Sequence, residues 1–184
     1  MGEQGEKENA ATTPIPFWRE KTILLVCAAI LAADQVTKAL VVQHLENPND
    51  VNERVVVIGG FLDLIHRTND GAAFSILQGQ NKLLAVISFF ALGGLIWFRE
   101  QFDNGTRTSK WAMGLLLGGI MGNLTDRVMR DSVVDFVRVY IERRGGGVSE
   151  WPAFNIADAS ICMGVACLFY IAWREGELAE EEND

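Results

Sequence analysis

Four apolar stretches punctuate the chain: Thr22 to Val42, Leu83 to Phe98, Trp111 to about Val128, and Ile156 to Trp173. Each approaches the ~20 residues that cross ~30 Å of hydrocarbon, the second and fourth falling somewhat short. The pattern predicts four membrane-spanning helices over residues 22–45, 82–99, 110–129 and 155–174. An even number of spans places both termini on one side. Segments 46–81 and 130–154 then share the opposite face, and the short link from Arg99 to Lys110 lies with the termini.

The two long links carry a different period. Glu53 to Ile58 and Phe61 to Arg67 are β-branched or alternating runs separated by Gly59-Gly60, a hairpin signal. Ser132 to Ile141 is rich in valine, and in an extended chain Asp135, Val137, Val139 and Ile141 fall on one face. The glycines at 145 to 147, followed by Pro152, mark a flexible turn before the last helix. No internal repeat or separate soluble domain is visible.

Composition strengthens the membrane reading. Of 184 residues, 49% are hydrophobic, high for a soluble domain of this length. The net charge of −8 gathers largely in GEQGEKE near the start and EGELAEEEND at the end, which read as solvated, disordered tails over 1–21 and 174–184. No basic stripe with interleaved aromatics is present, which excludes nucleic acid as the expected partner. Cys27, Cys162 and Cys167 all lie in apolar runs without a framework spacing, and read as buried free thiols.

Orientation follows Lys and Arg near the helix ends. Arg19, Lys21, Arg99, Arg107, Lys110 and Arg174 favour cytoplasmic termini, while Arg130, Arg138, Arg143 and Arg144 oppose them. The first helix sets the choice, giving cytoplasmic termini. The expected fold is therefore a membrane all-α protein: a four-transmembrane-helix bundle with a small extracytoplasmic β-rich platform. The first segment is read as a retained helix, because no small-x-small site precedes Asp34 and the apolar run resumes beyond Lys38. Val26 stands where a lipidation box before Cys27 would need a small residue.

Against this background, the ionisable groups at membrane depth become candidates for function. Asp34 and Lys38 are spaced i, i+4 with the acid first, the spacing of a helical ion pair. Gly114, Gly118 and Gly122 form a ridge of small residues that admits a neighbouring helix. Beyond it, Asn123, Asp126 and Arg127 project from one face and read equally well as a satisfied polar network. The last helix opens with Asn155 and Asp158 three apart, where a capping role explains Asn155 better than Asp158. Asp135 has no neighbour of opposite sign among the valines around it.

Topology allows Asp135 and Asp158 to meet at the outer interface, although sequence alone leaves Asp126 equally free to face Asp158. Two carboxylates forced together in a partly desolvated site share a proton, and such a pair serves as general base and general acid in peptide hydrolysis. His44 and His66 are isolated, no Ser or Cys has a base at a telling spacing, and no metal cluster stands out. An aspartate dyad is the leading chemistry.

Five blocks now add a resemblance. DQVTK at 34 to 38, NDGAAFS at 69 to 75, GGIMGNLTDR at 118 to 127, VVDF at 133 to 136 and FNIADASI at 154 to 161 together resemble the lipoprotein signal peptidase family, signal peptidase II. The resemblance implies an inner-membrane aspartic endopeptidase that removes signal peptides from bacterial prolipoproteins, cutting just before the diacylglyceryl-modified cysteine. Carried over by motif, Asp135 and Asp158 are the catalytic pair. Asn69, Gly71, Asn123, Asp126, Arg127 and Asn155 surround and orient the site, with Asp34 and Lys38 supporting it from the first helix. The expected partners are prolipoproteins and membrane lipids, with the chain a monomer that needs neither metal nor organic cofactor.

Two departures from the family pattern bear on substrate access. YIERRGGGVSEWPAF is longer than expected, and Asp131-Ser132 replaces a glycine-containing turn. Two other classes fit parts of the pattern. A small transporter would relay protons along Asp34, Lys38, Asp126 and Asp158, but would spread polar groups through the full depth, whereas these cluster toward one side. A non-enzymatic assembly protein would keep the same network for packing alone.

Overall fold

The computed structural model of the chain describes residues 20–50, 52–71 and 77–181, with the backbone alone at 178, 179 and 181. Residues 1–19 of the expected amino-terminal tail, Ala72 to Ser75 of the NDGAAFS block and residues 182–184 lie outside the described residues. Helices α1 (Lys21–His44), α2 (Asn81–Trp97), α3 (Arg99–Phe102), α4 (Arg107–Arg130) and α5 (Ile156–Glu181) alternate with strands β1 (Arg54–Ile58), β2 (Leu62–Asn69), β3 (Val133–Glu142) and β4 (Val148–Glu150).

By length and apolarity alone, α1 and the Ile156–Glu177 part of α5 qualify as membrane spans. Helix α2 is apolar but has 17 residues. Helix α4 is long enough at 24 residues, yet carries Arg107, Lys110, Asp126, Arg127 and Arg130. Its position explains that composition. Helix α4 packs against α1, α2 and α5, and its buried residues follow one another from Ala112 to Gly119 rather than keeping to a stripe. The outward surface is apolar instead: Phe90 is 70% and Trp97 82% exposed.

Glycines set how closely the helices approach. A β-carbon at Gly114 would fall 2.6 Å from Val26 Cβ, and one at Gly118 would fall 2.9 Å from the Cys27 carbonyl oxygen, so both glycines face α1. The ridge read from the sequence therefore packs α1. A second contact was not singled out: a β-carbon at Gly119 would meet Ser160 Oγ at 2.5 Å and the Ala157 carbonyl oxygen at 2.6 Å, on α5. Gly122 lies between both neighbours, 2.6 Å from Asp34 Oδ2 and 3.1 Å from Ala157 Cβ by the same construction.

The two long links build one antiparallel four-stranded sheet in the order β1-β2-β3-β4. The β1–β2 and β3 runs were legible as strands; β4 was not. The glycines at 145 to 147 all take positive φ and turn β3 back into β4, so they close a hairpin rather than loosen the approach to α5. Arg67 pairs with Asp135, and a bulge between Leu64 and Arg67 resets the register beyond it. The valine run does not keep one environment: Asp135 is 2% and Ile141 62% exposed.

Asp131 caps α4 at φ 58°, in the left-handed region that favours glycine, so the turn survives without its glycine. Helix α5 continues to Glu181, which makes the acidic stretch 174–181 helical rather than disordered. The three cysteines are free, as expected, but none is buried, and Cys162 is exposed.

Candidate active site

The chain folds so that α1, α4, β3 and the start of α5 converge under the sheet. Asn155 and Asp158 close the first turn of α5 reciprocally: the Asp158 backbone N–H donates to Asn155 Oδ1 at 2.9 Å, and the Asn155 N–H donates to Asp158 Oδ2 at 3.2 Å. Asp158 thus shares in the capping assigned to Asn155 and has an oxygen left for other partners. Its Oδ1 accepts from the Asn123 amide of α4 at 2.7 Å. Across the site, Asp135 Oδ1 accepts from the Asn155 amide at 2.9 Å and Oδ2 from the Asn69 amide at 2.8 Å.

Three asparagines therefore present N–H groups to the two carboxylates, and each has its carbonyl held by another donor. Asn69 Oδ1 accepts from the Gly71 backbone at 3.0 Å. Asn155 Oδ1 is taken by the α5 cap. Asn123 Oδ1 accepts from Lys38 Nζ at 3.0 Å. Gly71 and Lys38 enter the site by this route, each donating to the oxygen of an asparagine whose N–H faces an acid.

Below this layer lies an ion cluster. Lys38, 0% exposed, sits 2.8 Å from Asp34 and 2.9 Å from Asp126. Asp126 also pairs with Arg130 and accepts from Gln35 and the Val134 backbone. Asp34 accepts from the Ala157 backbone at 3.0 Å. The Asp34–Lys38 ion pair is present, with a third member from another helix. Asp126 is committed to these partners, whereas Asp135 and Asp158 both line one cavity of about 1310 Å³.

Arg127 lines the cavity, but its guanidinium holds backbone carbonyls rather than carboxylates: Gly71 at 3.1 Å and Asn123 at 3.4 Å. Its own carbonyl accepts from Asn81, at the start of α2. Every one of the ten singled-out residues joins this connected arrangement. Gln35, Asn81 and Arg130 belong to it too and went unnoticed. Gln35 stands inside the DQVTK block, and Arg130 follows Asp126 by four residues, so both carried a spacing signal; Asn81 carried none.

The cavity is two-ended in character. Asn49, Arg67, Thr68, Asp70 and Glu150 give it a polar rim, and Phe154, Ala159, Ile161 and Cys162 an apolar wall. Glu150 comes from β4, within the long stretch flagged in the sequence, and bonds Arg138 at 2.8 Å while contacting Arg67 at 3.4 Å. Among the described residues, no group of three His, Cys, Asp or Glu side chains is placed to hold a metal ion.

Burial, and then the adjacent Asp158 charge, push Asp135 from 3.8 up to about 7, against the opposing pull of Asn69, Lys38 and Asn155. A carboxyl with a raised folded-state value favours folding most below its unfolded value, and that contribution is lost as the pH rises toward and through the folded one. Between pH 5 and 8 the thermal midpoint of the wild type, in detergent, should therefore fall relative to that of Asp135→Asn. A constant difference between the two across that range would contradict the burial argument.

The fold and the buried polar site define an integral membrane enzyme. Two solved structures titled bacterial membrane enzymes support this class. One aligns at a TM-score of 0.73 and 29% identity over 85% of this chain and 90% of that one, the other at 0.67 and 31% over 83% and 92%. Residues 26–174 match the family described as signal peptidase (SPase) II. The lipoprotein signal peptidase of Halalkalibacterium halodurans is 36% identical over 87% of this chain and 97% of its own length. That of Bacillus subtilis is 37% identical over 79% and 88%. The chain belongs to the signal peptidase II family.

Proposed function

We propose that the protein is an aspartic endopeptidase that cuts signal peptides from diacylglyceryl-modified prolipoproteins just before the lipidated cysteine, with Asp135 and Asp158 as its reacting pair. The observation that carries this reading is the shared cavity: the two acids line it together, each held by amide donors, between a polar rim and an apolar wall. The relatives named lipoprotein signal peptidase supply the substrate class.

All four long helices span the bilayer in this reading. Helix α2, at ~1.5 Å per residue, is only about 25 Å long, and its short apolar length suits a thinned or tilted fit. Helix α4 crosses despite its charges because its neighbours shield it from lipid. Trp97, Trp111 and Trp173 are exposed at the end of the bundle away from the sheet, as an interfacial aromatic belt requires. The basic residues Lys21, Arg99, Arg107 and Lys110 share that end, which supports a cytoplasmic side there, and the site then opens outside the inner membrane. Both acids come from one chain, so the reacting pair is complete without a second copy, and the enzyme is proposed to act as a monomer.

The pair carries one proton near neutrality. The signal peptide reaches the site along the membrane, and the acyl chains stay in lipid along the apolar wall, which sets the depth of the scissile bond. A water between the carboxylates attacks the scissile carbonyl, giving its proton to the ionised acid while the protonated acid donates to the carbonyl oxygen. Collapse of the tetrahedral intermediate breaks the C–N bond. As that bond breaks, the acid that took the water's proton gives it to the departing nitrogen of the lipidated cysteine, while the other acid takes a proton from the intermediate's hydroxyl and so restores the one-proton pair; the new carboxyl of the signal peptide ionises on reaching water.

The test is a purified protein in lipid, offered one precursor with and without its diacylglyceryl group. Only the lipidated form should be cut, and equal cleavage of both would reject the lipid-anchored reading. A cytoplasm-specific reporter fused at the carboxyl end should be active in cells; silence would reverse the orientation.

A further inference from the structure

The buried ion cluster under the site does more than hold helices together, and the reason lies in the symmetry of an amide. An asparagine side chain has nearly the same shape either way round, so what fixes its donor end is the partner of its oxygen. For Asn69 and Asn155 that partner is a backbone N–H, supplied by Gly71 and by the α5 cap. Among the described residues no backbone N–H donates to the oxygen of Asn123. Its oxygen is held by the Lys38 ammonium at 3.0 Å and shared with the Asn155 amide at 3.2 Å.

An ammonium cannot accept a hydrogen bond, so the Asn123 NH₂ cannot turn toward Lys38. It is left facing Asp158 Oδ1 at 2.7 Å. Lys38 in turn is held by Asp34 at 2.8 Å and Asp126 at 2.9 Å, so its three protons have three acceptors and one orientation. Cohesion alone is a poor account of such a cluster, because a buried ion group contributes little net stability compared with apolar packing.

We propose that Lys38 is a positioning residue for Asp158: by taking the oxygen of Asn123 it keeps that amide's N–H directed at the carboxylate. Asp34 and Asp126 serve by fixing Lys38. This rests on the reading that Asp158 is one of the reacting acids.

The test compares Lys38→Met/Asp34→Asn, which removes the ammonium and one balancing charge together, with Asn123→Ala, which leaves Lys38 its two carboxylates and removes this donor to Asp158. Cleavage of a diacylglyceryl-modified precursor is measured across pH, with binding of that precursor and the folded fraction determined on the same samples. The double variant should bind precursor normally, lose about 100-fold or more in kcat, and show a pH profile moved by about one unit. Asn123→Ala should fold and lose activity comparably.

A fall in kcat that merely tracks the folded fraction, with an unmoved pH profile, would overturn the proposal, as would wild-type kcat in the double variant. If the double variant does not fold, Asn123→Ala decides: activity within about 10-fold of wild type rejects the donor role, well short of the loss expected when a preorganised donor goes. Asp135→Asn and Asp158→Asn run in the same assay separate the two readings. Cleavage by either of them rejects the catalytic pair itself, whereas two inactive aspartate variants beside an unimpaired double variant reject only the positioning role.

Discussion

Asp135→Asn and Asp158→Asn should each yield a folded, membrane-inserted protein that has lost roughly 10⁴-fold or more of its cleavage rate, the scale on which paired acid and base functions fail together. The expectation follows from where the two acids stand. Both open on the same cavity, and among the described residues the buried ion pairs of the site run through Asp34 and Asp126 rather than these two acids, so an uncharged isostere breaks no ion pair there. Each variant does place an amide where amide donors already point, from Asn69 and Asn155 on Asp135 and from Asn123 on Asp158. That mismatch costs on the order of 1–3 kcal/mol and will lower the thermal midpoint somewhat. Rates on a diacylglyceryl-modified precursor, normalised to folded protein, measure the effect, and processing above about 1% of wild type by either variant would remove the dyad, since far less should survive loss of its acid or base.

Asp126→Asn makes the informative contrast. Asp126 is fully buried against Lys38 and Arg130, and neutralising it leaves Lys38 with Asp34 alone and Arg130 without its carboxylate, a destabilisation below the ~3–5 kcal/mol of a buried charge left wholly unpaired. Its expected failure is chiefly in the amount of folded protein, with a fall in kcat of what remains that is far smaller than for Asp135→Asn or Asp158→Asn.

The second large effect is steric. Gly119→Val should separate α4 from α5 and cut both the thermal midpoint and the activity per folded molecule severely, because even the first added carbon would fall 2.5 Å from Ser160 Oγ and 2.6 Å from the Ala157 carbonyl. One of those contacts is backbone, so no side chain can rotate away, and forced overpacking costs about 1–3 kcal/mol or more. The displaced segment is the first turns of α5, which carry Asn155 and Asp158, so a shift there reaches the cavity directly. Gly93→Val on α2 is the matched control: nothing lies within 4 Å of its added carbon, and it should behave as wild type. Equal tolerance at both positions, read by thermal unfolding and cleavage rate, would contradict the close-packed α4–α5 contact.

Much of this was legible in the chain because it is written locally. Helix positions follow from apolar runs, the β1–β2 hairpin from two alternating segments around paired glycines, and the Asp34–Lys38 ion pair from an i, i+4 spacing. Beyond α5's apolar stretch, the helix continues to Glu181 because hydrogen bonding propagates along an existing helix even where the side chains turn acidic. Strand β4 escaped notice for the opposite reason: three residues, Val148–Glu150, have no period of their own and exist as a strand only because β3 offers an edge.

The choice between Asp126 and Asp135 as the partner of Asp158 shows the boundary most clearly. In the chain both are carboxylates near the same outer end, and the motif blocks favour Asp135 by resemblance alone. The polar residue types at the site, their order and the depth of their helices are properties of the sequence by itself, because the bilayer demands apolar spans and makes every buried charge conspicuous. Which acid faces the cavity, which end of each asparagine points at it, and that Lys38 donates to one of those amides were decided only by the tertiary structure. Those outcomes depend on distances between segments as far apart as α1 and α5, and hydrogen bonds of about 3 Å have no signature in linear order.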